Sequence, residues 1–342
     1  MSDRVLVTGA TGFLARHVVA ALAGDNAEVR STARGSRPSW LDPVVGYLPA
    51  DLTAEVPGEL LEGVTHVIHL AGASSSRSTE DEMRLVNVTG TAHLAQAILR
   101  HAPMARLVHV SSTSVYGEQA QLPLPVREDG PLLPSRPYGK TKLEGEQEVL
   151  DATGKGLRAV IVRPVTVFGA FNTKLLASAI LDASLERAAG STELVLGAEP
   201  VSLRIVHAAD AARAFVHLGL RCGDEVLGRA FNLSLPEFPT SHEVGAAIAR
   251  ALAMTPLMVE DGTPPLEGAE RQAAWQGLVD AGSLVPEILL SARRLQFLTR
   301  PNPNNALSLD ALTATGFNFQ HTDLDLEVAG LASWFTEHRW II

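Results

Sequence analysis

The chain has 342 residues, 46% of them hydrophobic, and a formal net charge of −10. This length supports a large buried core in one large domain or two closely joined ones, and the acidic balance argues against a general nucleic-acid binder. The single cysteine, Cys222, excludes an intrachain disulfide and a multi-cysteine metal site. Because the sequence shows neither a signal-peptide pattern nor an uncharged apolar run of about 18 residues, we expect a cytoplasmic protein without a membrane span.

The N-terminal segment predicts a strand, a glycine turn and a helix in direct succession. An apolar run over Val5–Thr8 leads into Gly9, and a helical pattern follows over Gly12–Ala23. In this context Gly9 permits a tight turn and Gly12 lets the backbone approach a dinucleotide pyrophosphate, which the helix N-terminus attracts. Ala15 is small enough for helix and strand to pack closely. The segment therefore predicts a dinucleotide site.

Strands and helices alternate through the first half of the chain. The remaining predicted strands are Glu28–Ala33, Val64–Leu70, Leu107–Ser111 and Ala159–Arg163, and the predicted helices between them are Met83–His101 and Tyr138–Thr153. The strands are apolar runs, as expected when both faces of a sheet are buried. This alternation predicts an α/β fold with a Rossmann-type, doubly wound parallel sheet.

The alternation weakens after Arg163. We predict helices over Asn172–Ala189, Ala209–Leu220 and Trp334–Trp340, strands over Leu194–Leu196, Leu203–Val206 and Ala230–Leu233, and loops from Pro256 to Asn305. We therefore expect a Rossmann domain over 1–168, with returning segments near 203–235. A smaller α+β substrate lobe would comprise 169–202 and 236–342.

Groups suited to acid–base chemistry follow the strand Leu107–Ser111. Tyr138 and Lys142 are four residues apart and lie on one face of a helix. A phenol has a pKa of about 10, and a nearby ammonium together with an oxidised nicotinamide lowers it, so Tyr138 could exchange a proton with a carbinol oxygen. Ser112 could stabilise developing alkoxide charge, and Lys142 could hold ribose hydroxyls. The predicted catalytic residues are Ser112, Tyr138 and Lys142.

Several motifs occur together in one order, and with them the chain resembles an extended short-chain dehydrogenase/reductase of the NAD-dependent epimerase/dehydratase family. The matching segments are Thr8–Ala15, Asp51–Leu52, His69–Gly72, Asn87–Thr91, Ser111–Gly117, Tyr138–Lys142, Arg163–Pro164, and His207 with Asp210.

The resemblance implies a cofactor site and an assembly. Asn87 would support the active-site network, and a homodimer would form through Met83–His101 and Tyr138–Thr153. Besides Tyr138 and Lys142, the implied cofactor-binding residues are Gly9, Thr11, Gly12, Phe13 and Leu14 at the turn, Asp51 and Leu52 beside the adenine, Leu70, Ala71 and Gly72 along the cofactor, and Pro164 and Val165 at the nicotinamide carboxamide.

The end of the second strand bears on cofactor choice. An NAD-selective site usually has an acidic residue there, whereas this chain has Ala33, then Arg34, with Arg37 nearby. Guanidinium groups suit a 2′-phosphate. We therefore predict that NADP(H) is preferred, with NAD(H) possible; a solvated basic turn is the alternative.

Departures from the family pattern narrow the range of reactions that the chain could catalyse. Ser112 is followed by Thr113 and Ser114 rather than the Asp-Glu pair of 4,6-dehydratases, and the acidic residue usual in epimerases is absent from the second strand. We expect NADPH-dependent reduction of a ketone on a nucleotide-linked 4-keto-6-deoxysugar. A nucleotide-sugar epimerase with bound NAD, a reductase of a non-sugar ketone or aldehyde, and a catalytically idle cofactor sensor remain alternatives.

The substrate contacts are predicted from few residues. Ser112 and Thr113 would face the substrate, Thr166 stands where many sugar-nucleotide enzymes have Asn, and Arg204 and Arg300 are candidate diphosphate partners that could instead form structural ion pairs. No metal site is predicted. His66 and His69 are expected to pack or cap, and the surface or packing histidines are His242, His321 and His338.

Overall fold

The computed structural model describes residues 2–74, 78–117, 122–172, 176–197, 199–259, 268–284 and 306–341. The chain divides into two compact units. Unit 1 comprises Met1–Val165, Ala208–Ser234 and Ala306–Asn318, and unit 2 comprises Thr166–His207, Leu235–Asn305 and Phe319–Ile342.

A seven-stranded parallel sheet forms the centre of unit 1 and confirms the predicted Rossmann-type fold. Its strands are β1 (Arg4–Thr8), β2 (Glu28–Thr32), β3 (Gly46–Tyr47), β4 (His66–His69), β5 (Arg106–Val110), β6 (Arg158–Pro164) and β10 (Ala230–Leu233). Their order is β10-β6-β5-β4-β1-β2-β3, so the winding direction reverses between β1 and β4. Ligands of such folds bind in the crevice at that reversal, outside the carboxyl ends of the strands.

Helices pack on this sheet because its strands are apolar on both faces. Val5, Leu6 and Val7 of β1 are fully buried, and every residue of β5 is buried. The helices of unit 1 are α1 (Phe13–Leu22), α2 (Glu80–Arg84), α3 (Gly90–His101), α4 (Pro137–Thr153), α6 (Ala208–Val216) and α9 (Asp310–Thr313).

The helix predicted over Met83–His101 begins three residues earlier, at Glu80. Thr79 and Glu82 form a capping box, in which each side chain accepts a hydrogen bond from the other residue's backbone N–H, at 3.3 and 2.7 Å. The Thr-x-x-Glu spacing was the available signal for this start. A π-helical turn over Leu85–Thr89 joins α2 to α3.

The described part of unit 2 contains two small parallel sheets and four helices. β7 (Thr166–Phe168) pairs with β9 (Ile205–His207), and β8 (Glu193–Gly197) pairs with β11 (Thr255–Val259). The helices are α5 (Leu176–Ala188), α7 (Ser241–Ala251), α8 (Gly268–Asp280) and α10 (Leu324–Glu337). Their apolar faces share a core that includes Phe168, Ile180, Leu194, Val244 and Phe335.

A strand and a helix replace the predicted loops over most of the described part of Pro256–Asn305. Pro256 lies in β11 and pairs with Leu194, a position that proline tolerates because this sheet has only two strands and both are edges. α8 forms over Gly268–Asp280, where three alanines, two glutamines, one glutamate and one arginine favour helix. Residues 260–267 and 285–305 lie outside the described residues.

The helix predicted over Trp334–Trp340 is also misplaced. The observed helix runs over Leu324–Glu337, and the side chain of Asp323 caps it by accepting a hydrogen bond from Leu326 N at 3.1 Å. Arg339 has a φ of +58°, and the chain then brings the Trp340 ring within 5.1 Å of Phe335. Trp340 therefore packs back on the helix rather than extending it.

The unit boundaries differ from the predicted domains, most clearly in two segments of the chain. Residues 203–207 belong to unit 2, because β9 pairs there with β7. Residues 306–318 return to unit 1, where Val126 N donates to Ala306 O at 2.7 Å and Asn232 Nδ2 donates to Ser308 O at 3.2 Å. Such returns depend on pairing between distant segments, which local sequence patterns do not encode.

Across the described residues, none of the helices combines the length and the apolar character needed to cross a bilayer.

Candidate active site

A cleft opens at the carboxyl ends of β1, β2 and β4. Nine residues predicted to bind the cofactor line it: Gly9, Thr11, Gly12, Arg34, Asp51, Leu52, Leu70, Ala71 and Gly72. The cleft is also lined by Thr32, Ala33, Ala50, Thr53 and Val86, most of which lie next in sequence to predicted residues. The reversal of winding therefore places the glycine turn, the end of β2 and the loop after β4 around one space.

The glycine turn fits a pyrophosphate group. Gly9 has a φ of +75°, and a Cβ there would lie 2.8 Å from Ala71 N, so a larger residue would collide with the loop after β4. Gly12 N donates a hydrogen bond to Gly9 O at 2.8 Å, and Gly12 is the N-cap residue of α1. The N-terminus of a ten-residue helix therefore opens at the cleft, where its N–H groups and dipole favour an anion.

A buried histidine fixes the loop after β4. Thr8 Oγ1 accepts hydrogen bonds from Leu70 N and Ala71 N at 3.1 Å each, so its own proton points to His69 Nδ1 at 2.8 Å. The other ring nitrogen of His69 then donates to Thr91 Oγ1 at 3.1 Å. Burial, with a smaller contribution from the Lys142 charge, lowers the pKa of His69 to about 3. His69 is thus a neutral packing residue.

The predicted proton donor lies beside the predicted alkoxide stabiliser. Ser112 follows β5, and its Oγ accepts a hydrogen bond from Ser114 N at 3.2 Å at the start of a turn over Thr113–Tyr116. The hydroxyls of Ser112 and half-buried Tyr138 are hydrogen bonded. Burial raises the pKa of Tyr138, and the bond to Ser112 opposes that rise only in part. Tyr138 is therefore a protonated phenol at neutral pH.

Lys142 stands one helical turn after Tyr138. Its Nζ donates to Val110 O at 2.7 Å and lies 3.9 Å from the place a Cβ would occupy at Gly72, so it reaches the cleft. Burial lowers its pKa to about 8, against the charge of Glu146. The lowering of the Tyr138 pKa that the sequence predicts is therefore absent from the chain alone, because burial of the phenol outweighs its polar contacts.

Glu146 was missed by the sequence analysis. It is almost fully buried and forms a bidentate pair with Arg163, at 2.7 Å between Nη2 and Oε2 and 3.0 Å between Nε and Oε1. The pair fastens α4, which carries Tyr138 and Lys142, to β6. A glutamate four residues after Lys142 was the available signal, since both then lie on one helix face.

Asn87 connects the loop after β4 to α4. Its Oδ1 accepts from Ala73 N at 2.8 Å, and its Nδ2 donates to Ala73 O and to Thr141 Oγ1, each at 3.0 Å. Thr141 Oγ1 in turn donates to Tyr138 O at 3.0 Å. The side chain thus links the loop after β4 to the helix that carries Tyr138, and the supporting role that the family resemblance implies stays a prediction.

The two arginines after β2 differ. Arg34 is exposed at the cleft. Hydrogen bonds from Thr53 are the main cause of the lowered pKa of Asp51, and the charge of Arg34 contributes a smaller lowering. Arg37 is absent from the residues that line the cleft, and its Nη2 donates to Val45 O at 2.8 Å and to the carbonyls of Leu41 and Asp42. Arg37 therefore holds the following loop.

The other predicted residues lie near the site or in unit 2. Phe13 and Leu14 form the first turn of α1, Thr113 follows Ser112, and Pro164 and Val165 are buried at the end of β6. Thr166 and Arg204 are half-buried residues of unit 2. Arg300 lies outside the described residues.

The fold is of the Rossmann type, and its cleft is lined by residues predicted to bind a nicotinamide dinucleotide. The chain belongs to the NAD-dependent epimerase/dehydratase family, because the model of that family matches residues 5–234. It is thus an enzyme of the nicotinamide-dependent oxidoreductase and epimerase type.

Two curated relatives and one solved structure show the range of similarity. A 4-hydroxy-2-methyl-3-oxo-4-farnesyl-3,4-dihydroquinoline-1-oxide ketoreductase of Stigmatella aurantiaca is 36% identical over 51% of this chain and 53% of its own length. A dTDP-6-deoxy-L-talose 4-dehydrogenase (NAD(P)(+)) of Kitasatospora kifunensis is 32% identical over 80% of this chain and 86% of its own length. The UDP-glucuronic acid 4-epimerase of Bacillus cereus, solved with NAD, shares the fold with a TM-score of 0.73 at 18% identity, over 98% of this chain and 97% of that one.

Proposed function

We propose that the chain is an NADPH-dependent ketoreductase acting on a nucleotide-linked 4-keto-6-deoxysugar. The observation that carries the proposal is Tyr138, whose hydroxyl is hydrogen bonded to Ser112 and whose pKa is raised by burial. A protonated phenol at neutral pH is prepared to give a proton, which is its task in the reducing direction.

The residues of unit 1 divide the reaction between them. NADPH, when bound, supplies a hydride to the ketone carbon. Ser112 and Tyr138 bind the ketone oxygen, and Tyr138 transfers its hydroxyl proton to that oxygen as negative charge develops there. Lys142 supplies positive charge at the cleft and a donor for ribose hydroxyls, and solvent then reprotonates Tyr138.

The end of β2 supports NADPH over NADH. Arg34 is exposed at the cleft with Ala33 in the position where NAD-selective sites have an acid. A guanidinium there can form charge-assisted hydrogen bonds with a 2′-phosphate. Arg37 would contribute to NADPH binding indirectly, because its side chain holds the carbonyls of the loop that follows β2.

The relatives support the substrate class. The Kitasatospora relative bears the name of a dTDP-6-deoxysugar 4-dehydrogenase, and 86% of its length aligns with this chain. The name of the Stigmatella relative describes a ketoreductase of a quinoline, so a non-sugar ketone is the second substrate class to test. Thr113, Thr166, Arg204 and Arg300 would contribute substrate contacts.

We also propose a homodimer built on the helices around α3 and α4. Leu85, between α2 and α3, is 47% exposed, and Leu150 in α4 is 41% exposed. Both would be covered in such an interface. Light scattering would show a dimer for the native chain and a monomer for Leu150→Glu.

The test is NADPH oxidation, followed by nicotinamide absorbance, with a freshly prepared nucleotide-linked 4-keto-6-deoxysugar. NADH and a 3-oxo-dihydroquinoline are run in parallel. Turnover of the sugar with NADPH preference supports the proposal. Turnover of the quinoline alone replaces the substrate class, and no turnover together with tightly bound NAD in the purified protein would favour an epimerase.

A further inference from the structure

Three potential metal ligands from distant parts of the sequence meet within unit 2. His207 ends β9, His321 precedes α10, and Glu327 lies in the first turn of α10. The ligand atoms of all three lie within 4.8 Å of one another. His321 Nδ1 is 2.8 Å from Glu327 Oε1, and His207 Nε2 is 3.6 Å from Glu327 Oε2.

We propose that His207, His321 and Glu327 bind one divalent transition-metal ion, with Zn²⁺ the best match. Two imidazole nitrogens and one carboxylate oxygen form a donor set typical of zinc, whereas calcium and magnesium prefer oxygen ligands alone. Three protein ligands leave a fourth position for water. The site is separate from the proposed ketoreductase chemistry, whose catalytic residues lie in unit 1.

The distances suit coordination after small side-chain movements. Zinc bonds of about 2.0–2.1 Å in a tetrahedral arrangement place ligand atoms about 3.4 Å apart. The separations of 3.6 and 2.8 Å lie on either side of that value. Glu327 presents one oxygen to each imidazole, so an ion can enter between them by replacing the contact between His321 and Glu327.

The surroundings favour an ordered site that solvent can reach. The rings of His207 and His321 stack with centroids 4.4 Å apart and 27° between their planes. Buried Phe168 stands edge-on to His207 at 5.2 Å and forms an apolar wall. His207 and Glu327 are 14% and 15% exposed, whereas His321 is 31% exposed and gives access. A bound ion would therefore fasten the end of β9 to the start of α10.

The test is a Co²⁺ titration of the untagged full chain after treatment with a chelator. Cobalt replaces zinc in such sites and gives visible absorption bands when its coordination is tetrahedral. We expect bands that saturate at one equivalent and disappear when Zn²⁺ is added. We also expect Zn²⁺ to raise the melting temperature of the full chain, because it binds the folded state.

Matched variants decide between this site and general surface binding. His321→Gln and Glu327→Gln each remove one ligand from a partly exposed position, and each should weaken Co²⁺ binding at least about tenfold while circular dichroism stays native. His242→Gln removes a half-buried histidine elsewhere in unit 2 and should leave the titration unchanged. The proposal is overturned if the native chain gives no tetrahedral bands, or if both ligand variants retain them.

Discussion

Lys142 Nζ donates a 2.7 Å hydrogen bond to Val110 O, the last carbonyl of β5. The bond ties the helix that carries Tyr138 to the strand that leads to Ser112. It also takes one of the three ammonium donors, so two remain for the cofactor cleft. The start of α4 and the end of β5 are thereby held together by a group whose pKa burial lowers to about 8.

The rate of reduction should fall at alkaline pH because Lys142 loses its charge. The pKa of Tyr138 is raised, so the phenol stays protonated while Lys142 deprotonates near pH 8. We expect kcat/KM to decline above about pH 8 in a profile from pH 6 to 10. In Lys142→Arg, which stays charged, the decline should move to higher pH even if the rate is lower. A decline at the same pH in both proteins would assign it to another group.

Removal of the Tyr138 hydroxyl should affect proton transfer and leave the fold intact. Tyr138→Phe should lower kcat by about 10²–10⁴ with little change in NADPH affinity, measured by fluorescence titration. Tyr116→Phe is the matched control, since the Tyr116 hydroxyl bonds Asn232 and Arg163 in the core. That variant should lose stability but keep kcat. Equal kcat in Tyr138→Phe and the native chain would exclude Tyr138 as the acid.

The two arginines after β2 should separate in their effects. Arg34→Ser should weaken NADPH binding about 10- to 100-fold, the value of one charge-assisted interaction, and leave NADH binding unchanged. Arg37→Ser should lower the melting temperature, because its side chain holds three loop carbonyls. Arg100→Ser, an exposed arginine in α3, controls for net charge. Similar NADPH affinity in Arg34→Ser and Arg100→Ser would contradict the assignment.

Stability should fall in acid partly through His69. The unfolded chain binds a proton at this side chain below about pH 6.5, whereas the folded chain does so only near pH 3. Since the unfolded state takes up more protons in this window, the free energy of unfolding should drop by about 2 kcal/mol from pH 7 to pH 5.

Urea unfolding of the native chain and of His69→Asn at both pH values isolates this contribution. The variant should be less stable at pH 7 because the contacts of His69 with Thr8 and Thr91 change. Its loss between pH 7 and pH 5 should be smaller by that amount. An identical loss of stability in both proteins would contradict this, because it would mean that His69 takes up a proton in the folded chain as readily as in the unfolded chain.

The parts of the site that were predictable are those encoded by short spacings. Gly9 and Gly12 predict the turn because they stand between an apolar strand and a helix. Tyr138 and Lys142 share a helix face because they are four residues apart. The parallel sheet followed from apolar strands that alternate with helices. In each case the interacting groups are close in sequence or repeat regularly.

The parts that were missed depend on contacts between distant residues. Glu146 meets Arg163 only because α4 packs on β6, and β11 forms despite Pro256 because β8 offers it a partner. His321, expected to be a surface or packing residue, lies beside His207, which is 114 positions earlier in the sequence. No local sequence pattern predicts such contacts between distant residues.

Transfer of deuterium from labelled NADPH tests the central claim most directly. NADPH carrying deuterium at C4 of the nicotinamide, on each face in separate experiments, is incubated with the nucleotide-linked 4-keto-6-deoxysugar, and the product is analysed by mass spectrometry. A ketoreductase should place one deuterium at the former ketone carbon from one of the two cofactors, and Tyr138→Phe should form little labelled product. A product epimer without deuterium, formed while NADPH is not consumed, would contradict the account.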